Sequence, residues 1–329
     1  MFINAIGQYV PKHMIQNSYF TDLNGLTDEW IYQRTGIKSR VRASSKETIE
    51  YMCRKAVERA LPKLPYDISE VGLIIFASYT PSDTVGTVGH LIQREFNIAS
   101  AKVFYISSAC SSGINAMEAI KSYFDSGLAS KALLICADRN SSYSDDTDSV
   151  AGHLWGDAAV AYFFSKASYS QQETKILAIN TQGLGHIGLG PEAVKLNLPK
   201  GGLQMPFGKD VFTYACTYIA ENTEKILKDN GYEIEDLSYF IGHQANMRIL
   251  KNVAQRLGLP EKKSLSNIER MGNTGSASAL LVFAMNYDRY EDSDLICMSV
   301  FGGGYSAGAC LMKTGHRSGA AQEAVKEAI

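Results

Sequence analysis

Short apolar runs rich in β-branched residues alternate with amphipathic segments along most of the chain, and this alternation limits the fold more than any other feature. The strand-like runs are residues 71–77, 132–137, 160–164, 176–179 and 295–301. Apolar residues at helical spacing lie between them, in the segments 114–124, 211–219 and 247–257. Buried strands that alternate with helices are typical of layered α/β proteins. The sequence therefore predicts an α/β fold.

The chain is long enough to form two domains or two fused halves, since it has 329 residues of which 45% are hydrophobic. A polar stretch at 165–174, rich in Ser and Gln, separates two parts of similar length. We place the boundary there, with an N-terminal half at 1–168 and a C-terminal half at 169–313. An alanine-rich tail at 314–329 follows the last predicted strand, and we assign it no role.

Charge and cysteine content exclude several classes of function. With 32 basic and 34 acidic residues, the chain has no overall field that would attract nucleic acid. The sequence shows neither a signal-peptide pattern nor an apolar stretch of about 18 residues that would span a membrane. The six cysteines contain no CxxC pair, which argues against a zinc site or a disulfide framework. We expect a cytoplasmic protein with neither nucleic acid nor membrane as a partner.

Cys110 is the best candidate for a reactive residue. It lies in FYISSACSSGINAMEAI, where a strand-like run meets small residues and then a helical pattern. A thiol at a helix N-terminus is expected to ionise more readily, and small neighbours let a carbonyl group approach backbone N–H groups. The sequence thus predicts a nucleophile here. We interpret the remaining cysteines as small buried apolar residues: Cys53, Cys136, Cys216, Cys297 and Cys310.

Two further polar residues lie at similar junctions. His243 in YFIGHQANMRIL follows a strand-like run and precedes a helix, and Asn273 in MGNTGSASALL precedes another apolar helix. Strand C-terminal edges form the usual site crevice of α/β sheets, so the three junctions can converge. Taken singly, such a histidine is more often structural, and such an asparagine is more often a turn residue or a helix cap.

Together these segments resemble a known family. ACSSG, GHQAN, GNTGSAS and FGGGYSAG occur in the order and spacing of the β-ketoacyl-acyl carrier protein synthase III family. DEWIYQRTGIKSR near the N-terminus and LWGDAAVAYFF in the middle are also similar to family segments. The resemblance covers roughly residues 1–313 and is specific because the motifs occur together.

The resemblance implies a thiolase-like fold with five αβαβα layers, made of two pseudo-symmetric halves, in a homodimer that needs no metal or redox cofactor. It implies that Cys110 takes up an acyl group, while His243 and Asn273 hydrogen-bond a malonyl thioester. The backbone at Cys110 and Gly303 would form an oxyanion hole, and Phe301 would pack beside the reacting centre. The implied reaction is decarboxylative condensation, in which two fixed donors stabilise the enolate.

The implied substrates are acyl-coenzyme A or acyl carrier protein thioesters, with malonyl-acyl carrier protein as the second partner. Trp30 and Arg34 match positions at the tunnel mouth, where an indole can stack on adenine and a guanidinium can meet phosphate. Arg248 is a candidate for docking an acidic carrier. Two departures from the family are Ser149, in place of a phosphate-contacting arginine, and Val85, in place of an aromatic that caps the acyl pocket across the dimer. They favour carrier-bound, longer or branched acyl donors.

Other interpretations remain open at this point. Thiolases would need a second catalytic cysteine, hydroxymethylglutaryl-coenzyme A synthases a glutamate, and type III polyketide synthases usually a longer chain. A non-catalytic subunit that shapes the tunnel of a heterodimer is a further alternative.

The glycines at 183, 185 and 188 have GxGxxG spacing, but no long amphipathic helix follows, so we reject a dinucleotide site. The pathway is either fatty acid initiation or a specialised one such as aryl polyene or dialkylresorcinol assembly.

Overall fold

The protein is built around one large mixed β-sheet. A computed structural model describes residues 1–197 and 202–316. Its strands are β1 (Phe2–Tyr9), β2 (His13–Gln16), β3 (Ser39–Arg42), β4 (Leu73–Ala77), β5 (Lys102–Ile106), β6 (Lys131–Arg139), β7 (Asp157–Ser165), β8 (Thr174–Gly183), β9 (Lys195–Asn197), β10 (Gly202–Gln204), β11 (Tyr239–Gly242), β12 (Leu295–Gly302) and β13 (Ser306–Lys313). All five predicted strands are confirmed.

The helices include the three that the apolar spacing predicted. They are α1 (Thr21–Asn24), α2 (Asp28–Thr35), α3 (Ile49–Ala60), α4 (Val88–Glu95), α5 (Ser112–Asp125), α6 (Gly208–Asp229), α7 (Met247–Arg256), α8 (Ile268–Met271) and α9 (Ser278–Met285). Helix α7 ends before Gly258, whose φ of +64° lies in the left-handed region that glycine adopts freely. Within the described part of the chain, no helix is both long and apolar enough to cross a membrane.

The sheet contains two copies of one strand arrangement. Its order is β11-β12-β13-β8-β1-β7-β6-β4-β5, and β1 pairs antiparallel with β8 at the junction of the copies. In the first copy, β4 is parallel to β5 and β6, and β7 runs antiparallel between β6 and β1. In the second, β11 is parallel to β12, and β13 runs antiparallel between β12 and β8. A single parallel bridge between Phe240 and Ser264 takes the place of the strand that corresponds to β5.

Helices lie in three layers around the two copies. The apolar residues of α5 and α9 form one core with inward-facing residues of both parts of the sheet. The opposite face of the first copy packs against α3 and α4, and that of the second copy packs against α6 and α7. The order of layers is therefore αβαβα, as predicted. Neighbouring residues on β4 show how the sheet separates two cores, because Ile75 faces the central layer and Ile74 faces α3.

The stretch that we predicted to separate the halves is a loop, since β7 ends at Ser165 and β8 begins at Thr174. The glycines at 183–188 lead from β8 into a loop and the short strand β9. This agrees with our rejection of a dinucleotide site. Of the tail at 314–329, residues 317–329 lie outside the described part of the chain.

Candidate active site

Cys110 is held in a sharp turn between β5 and α5. Ala109, just before it, has a φ of +51°, which is unusual for a residue with a side chain and indicates a conformation that the surrounding structure enforces. The Ser112 hydroxyl donates to the Ala109 carbonyl at 2.5 Å and accepts from the Ser108 N–H at 2.9 Å. This one side chain therefore fixes both sides of the turn.

The β12–β13 turn approaches Cys110 so closely that only glycine fits. A Cβ atom on Gly302 would lie 2.7 Å from the Cys110 nitrogen. The backbone N–H groups of Gly303 and of Cys110 itself point toward the thiol. Two N–H groups beside the nucleophile can also donate to the carbonyl oxygen of an acyl group that the sulfur carries, as in an oxyanion hole.

The pKa of Cys110 is raised, whereas its position before a helix had led us to expect a lowered pKa. Burial raises the pKa of the thiol to about 12, and the nearby charge of Asp138 acts in the same direction. The N–H groups of Gly303 and Cys110 oppose this shift without cancelling it. The physical reason is that removing a thiolate from water costs more than a few local dipoles return.

Asp138 was missed by the sequence analysis, although it lies near the end of a strand-like run as His243 does. One carboxylate oxygen accepts from the Ser78 hydroxyl at 2.9 Å and the Tyr79 N–H at 3.0 Å. The other accepts from the N–H and hydroxyl of Ser276, each at 2.6 Å. This buried carboxylate thus ties the two halves together behind the turn that carries Cys110.

His243 directly follows β11, and its backbone N–H donates to the Ser299 carbonyl. Its Nδ1 lies 2.7 Å from the Ser278 hydroxyl, which accepts from the Gln244 N–H at 3.3 Å. The hydroxyl can therefore donate its proton to Nδ1, which leaves the histidine proton on Nε2. Burial lowers the pKa of His243 to about 4, so the imidazole is neutral near pH 7.

Asn273 is fixed by its own backbone and side chain. Its N–H donates to the Leu154 carbonyl, and its carbonyl accepts from the Gly156 N–H, each at 2.9 Å. The side-chain Oδ1 accepts from the Gly275 N–H at 3.0 Å. With that oxygen engaged, the side-chain amide nitrogen is the atom available to donate into the site.

A mostly apolar cavity of about 340 Å³ brings the three predicted residues together. Cys110, His243 and Asn273 all line it, as do Phe301 and Gly303. Helix α6 and the β9–β10 hairpin, neither of which was predicted as part of the site, form much of the wall through Val194, Lys195, Leu196, Leu203, Met205, Val211, Ala215 and Ile219.

A second cavity of about 380 Å³ continues toward the surface. It shares Met205, Val211, Ala245 and Ile249 with the first, so the two form successive sections of one channel. Trp30, Arg34 and Arg248 line this outer section, with the Arg34 guanidinium 4.2 Å from the centre of the Trp30 ring.

The outer section also contains His153, which the sequence analysis missed. Its ring packs edge-on against Trp30, with 5.7 Å between ring centres. The remaining two predicted positions are not part of either cavity, because Ser149 is exposed and Val85 is 80% exposed on the loop before α4.

The fold and this site define a thiolase-like condensing enzyme, in which a cysteine from one half faces a histidine and an asparagine from the other. The family models for 3-oxoacyl-(acyl-carrier-protein) synthase III and for its C-terminal region match residues 104–185 and 227–314. The chain belongs to this family, whose curated members are named as synthases, and is therefore an acyltransferase.

Individual relatives support the assignment over nearly the whole chain. The β-ketoacyl-(acyl-carrier-protein) synthase III of Staphylococcus saprophyticus is 30% identical over 315 residues, which cover 95% of this chain and 98% of that protein. The crystal structure of the Aquifex aeolicus synthase III is 32% identical, with a TM-score of 0.88 and coverage of 95% and 99%. The priming β-ketosynthase of a polyketide biosynthetic pathway is 26% identical, with a TM-score of 0.87 and 96% coverage of both chains.

Proposed function

We propose that this enzyme condenses an acyl group held on Cys110 with a malonyl thioester that loses carbon dioxide. One observation carries the proposal: Cys110, His243 and Asn273, from distant parts of the sequence, line a single cavity that continues toward the surface. Cys110 is the only cysteine of the described chain that lines it. That fact favours decarboxylative condensation over thiolase chemistry, which needs two.

In the first step, the Cys110 sulfur attacks the carbonyl carbon of an acyl thioester. The S–acyl bond of the donor breaks, a new one forms on Cys110, and the departing thiolate takes the cysteine proton. The N–H groups of Cys110 and Gly303 stabilise the negative oxygen of the tetrahedral intermediate. Because the cysteine is neutral in the free enzyme, the exchange itself supplies the proton acceptor.

In the second step, the malonyl carboxylate leaves as carbon dioxide and its electron pair forms an enolate. The His243 Nε2–H and the Asn273 amide donate to the enolate oxygen, and such preorganised donors stabilise the negative charge in a mostly apolar cavity. The nucleophilic carbon then attacks the acyl carbonyl, a carbon–carbon bond forms, and the Cys110 sulfur leaves as a thiolate that takes up one proton from the solvent. A neutral histidine suits this role because it keeps its donor proton throughout.

The outer section fits a carrier arm. Trp30 and Arg34 offer a flat ring and a cation to coenzyme A, and exposed Arg248 offers a charge to an acidic carrier protein. We propose acyl-coenzyme A or acyl carrier protein thioesters as donors and malonyl-acyl carrier protein as the extender. Ser149 and Val85 favour a longer or branched acyl group in a specialised pathway, such as aryl polyene or dialkylresorcinol assembly, over the start of fatty acid synthesis.

We also propose a cytoplasmic homodimer of chains that divide into halves at 168/169. Strand β5 is the last in the described sheet, and its apolar residues Val103, Phe104 and Ile106 are only half-buried. An exposed edge strand with apolar side chains is usually covered by another element, and strand β5 of a second copy of the chain can cover this one. Gly86 lies against the Tyr105 side chain of β5, so its neighbour Val85 is on the same side of the protein as this edge. Val85 would then reach the second copy of the chain.

Intact-mass analysis after incubation with acyl thioesters of increasing length tests the function. We expect one acyl adduct on the wild-type protein and on the control Cys53→Ala, and none on Cys110→Ala. Cys53 is a suitable control because it is fully buried and away from the cavity. Acylation that survives in Cys110→Ala, or release of carbon dioxide from malonyl thioester without any acylation by any donor, would contradict the proposal.

A further inference from the structure

The turn that carries Asn273 is held by a residue from the other half of the molecule. Strand β6 ends at Arg139, and the next residue, Asn140, is fully buried. The Asn140 Nδ2 donates to the Gly156 carbonyl at 2.8 Å and to the Asn273 carbonyl at 3.3 Å. Backbone carbonyl oxygens only accept hydrogen bonds, so the side-chain atom that faces both of them is the amide nitrogen.

A tyrosine fixes the orientation of this amide. The Tyr79 hydroxyl donates to the Asn140 Oδ1 at 2.7 Å. A rotated amide would set its oxygen against the carbonyl oxygens of Gly156 and Asn273 and would leave both without this donor, which is unfavourable for buried groups. Both ends of the Asn140 side chain are therefore engaged in one orientation.

A second buried residue of β6 holds the other end of the same turn. Asp138 accepts from the N–H and the hydroxyl of Ser276, each at 2.6 Å. Between these contacts lies Gly275, whose N–H donates to the Asn273 Oδ1 and whose φ is +66°. A Cβ atom at Gly275 would lie 2.8 Å from the Tyr79 hydroxyl oxygen, so the turn packs directly against the exits of β4 and β6. The N-terminal half thus fixes the turn on both sides of the Asn273 side chain.

The turn of the nucleophile is held differently. Ser112 fixes the Cys110 turn from within, through its bonds to the backbone on both sides. Among the residues that the structure describes, the Asn140 side chain hydrogen-bonds the Asn273 turn and forms no such bond with the Cys110 turn. A change at Asn140 should therefore disturb the amide of Asn273 and leave the nucleophile in place.

We propose that Asn140 is a positioning residue for the decarboxylation step, which holds the Asn273 amide where that amide donates to the enolate oxygen. This inference rests on the proposed condensation and adds a residue that lines neither cavity. A donor stabilises developing charge only at hydrogen-bond distance, so a displacement of about 1 Å removes much of its effect. Tyr79 acts one step further away, because it orients the amide of Asn140.

Asn140→Leu tests this role with little change in side-chain volume. It removes the donor to the Asn273 carbonyl, so release of carbon dioxide from malonyl thioester should slow by about 10–100-fold, mainly through kcat. Acylation of Cys110, measured by intact mass, should stay within about twofold of the wild-type rate, since its turn is held separately. Asn286→Leu is the matched control, because the Asn286 amide also donates to a backbone carbonyl, at 2.8 Å, but lies outside both cavities.

A double variant shows whether the effect passes through Asn273. Asn140→Leu combined with Asn273→Ala should release carbon dioxide no more slowly than Asn273→Ala alone, because an amide that is absent cannot be misplaced. A general disturbance of the fold would multiply the two losses instead. Multiplied losses, or an Asn140→Leu enzyme as fast as Asn286→Leu, would overturn the inference.

Tyr79→Phe keeps the inference testable if Asn140→Leu does not fold. It removes the hydroxyl that orients the Asn140 amide and leaves the ring on the cavity wall. Release of carbon dioxide should slow by about 3–10-fold while acylation changes by less than about twofold. Equal losses in both steps, or no loss in either, would count against Asn140. A wild-type protein that releases no carbon dioxide from malonyl thioester would refute the proposed function itself, whereas wild-type turnover with unaffected variants would refute this inference alone.

Discussion

The two halves of the sheet share one topology but provide different chemistry at corresponding positions. The residue that leads into the central helix α5 is a nucleophile, Cys110, whereas the corresponding junction before α9 carries the amide of Asn273. The exit of β4 carries Ser78, which binds Asp138, and the exit of the corresponding strand β11 carries His243.

This difference indicates a division of roles between the halves. The N-terminal half supplies the atom that forms a bond and a buried carboxylate that fixes its surroundings. The C-terminal half supplies neutral donors and the glycine turn. A duplicated scaffold can thus hold a nucleophile against two donors, because each copy directs its strand ends toward the same central crevice.

The largest effect should come from removing the donors of the C-terminal half. His243→Ala and Asn273→Ala should each slow release of carbon dioxide from malonyl thioester by about 10²–10³-fold, since each removes one donor to the enolate. Acylation of Cys110 should persist in both variants, as measured by intact mass. Equal loss of both steps would show that the halves do not divide the reaction in this way.

Gly302→Ala probes the turn that the second half places against the nucleophile of the first. A Cβ atom there would lie 2.7 Å from the Cys110 nitrogen, so the turn must move and the N–H groups leave the thiol. We expect acylation to slow by about 10²-fold. Gly183→Ala is the control, because a Cβ atom at Gly183 meets nothing within 4 Å. A Gly302→Ala enzyme as fast as this control would argue against an oxyanion hole at this turn.

Each half also buries one neutral histidine, which makes stability sensitive to acid. Burial lowers the pKa of both His153 and His243 from 6.5 to about 4. Between pH 6.5 and pH 4 the unfolded chain binds protons that the folded chain does not. The contribution of the two neutral histidines to the free energy of unfolding is therefore complete above pH 6.5 and is lost as the pH drops toward 4. The loss is on the order of 3 kcal/mol for each histidine.

Denaturant unfolding at several pH values measures this effect. His153→Leu should lose less stability between pH 6.5 and 4 than the wild-type protein, because one of the two titrating groups is gone. The exposed His90→Gln serves as the control and should follow the wild-type curve. Identical pH dependence in all three proteins would contradict the assignment.

Ser78→Ala tests the corresponding position in the N-terminal half. It removes a buried hydroxyl that donates to Asp138 and accepts from the Thr80 N–H at 3.1 Å. We expect a loss of about 1–3 kcal/mol in the free energy of unfolding, with a smaller effect on decarboxylation than His243→Ala has. Ser122→Ala, on an exposed helical position, should change neither quantity. A stable Ser78→Ala protein that cannot release carbon dioxide would give Ser78 a chemical role and break the comparison.

The smallest effect concerns the outer section of the channel. Arg248→Glu reverses an exposed charge, so KM for an acyl carrier protein substrate should rise by about 3–10-fold, more than kcat falls. Arg94→Glu makes the same change on α4, away from the channel, and should leave KM unaltered. Equal KM values in the two variants would indicate that Arg248 is an ordinary surface charge.

Local signals in the sequence were enough to find five of the strands, three main helices and the residues Cys110, His243 and Asn273. Each of these three follows an apolar run or precedes an apolar helix. This pattern is local, so it can be recognised in the sequence without knowledge of the tertiary structure. Asp138 fits the same pattern, and equal attention to it would have found the carboxylate behind the nucleophile. His153, Trp155 and Lys195 carry no such signal, because an isolated histidine, tryptophan or lysine is as common in a core or on a surface as in a site.

The sequence by itself determined the alternating elements, the residues at their junctions and, through the joint motifs, the family. Only the tertiary structure decided the electrostatics and the shape of the site. The pKa of Cys110 shows why, since a helix terminus is a local feature but burial depends on α6, the hairpin and the glycine turn together. The indole N–H of Trp155 is a second case. It has no hydrogen-bond partner among the residues that the structure describes, and this could be established only from all the groups that surround it in space.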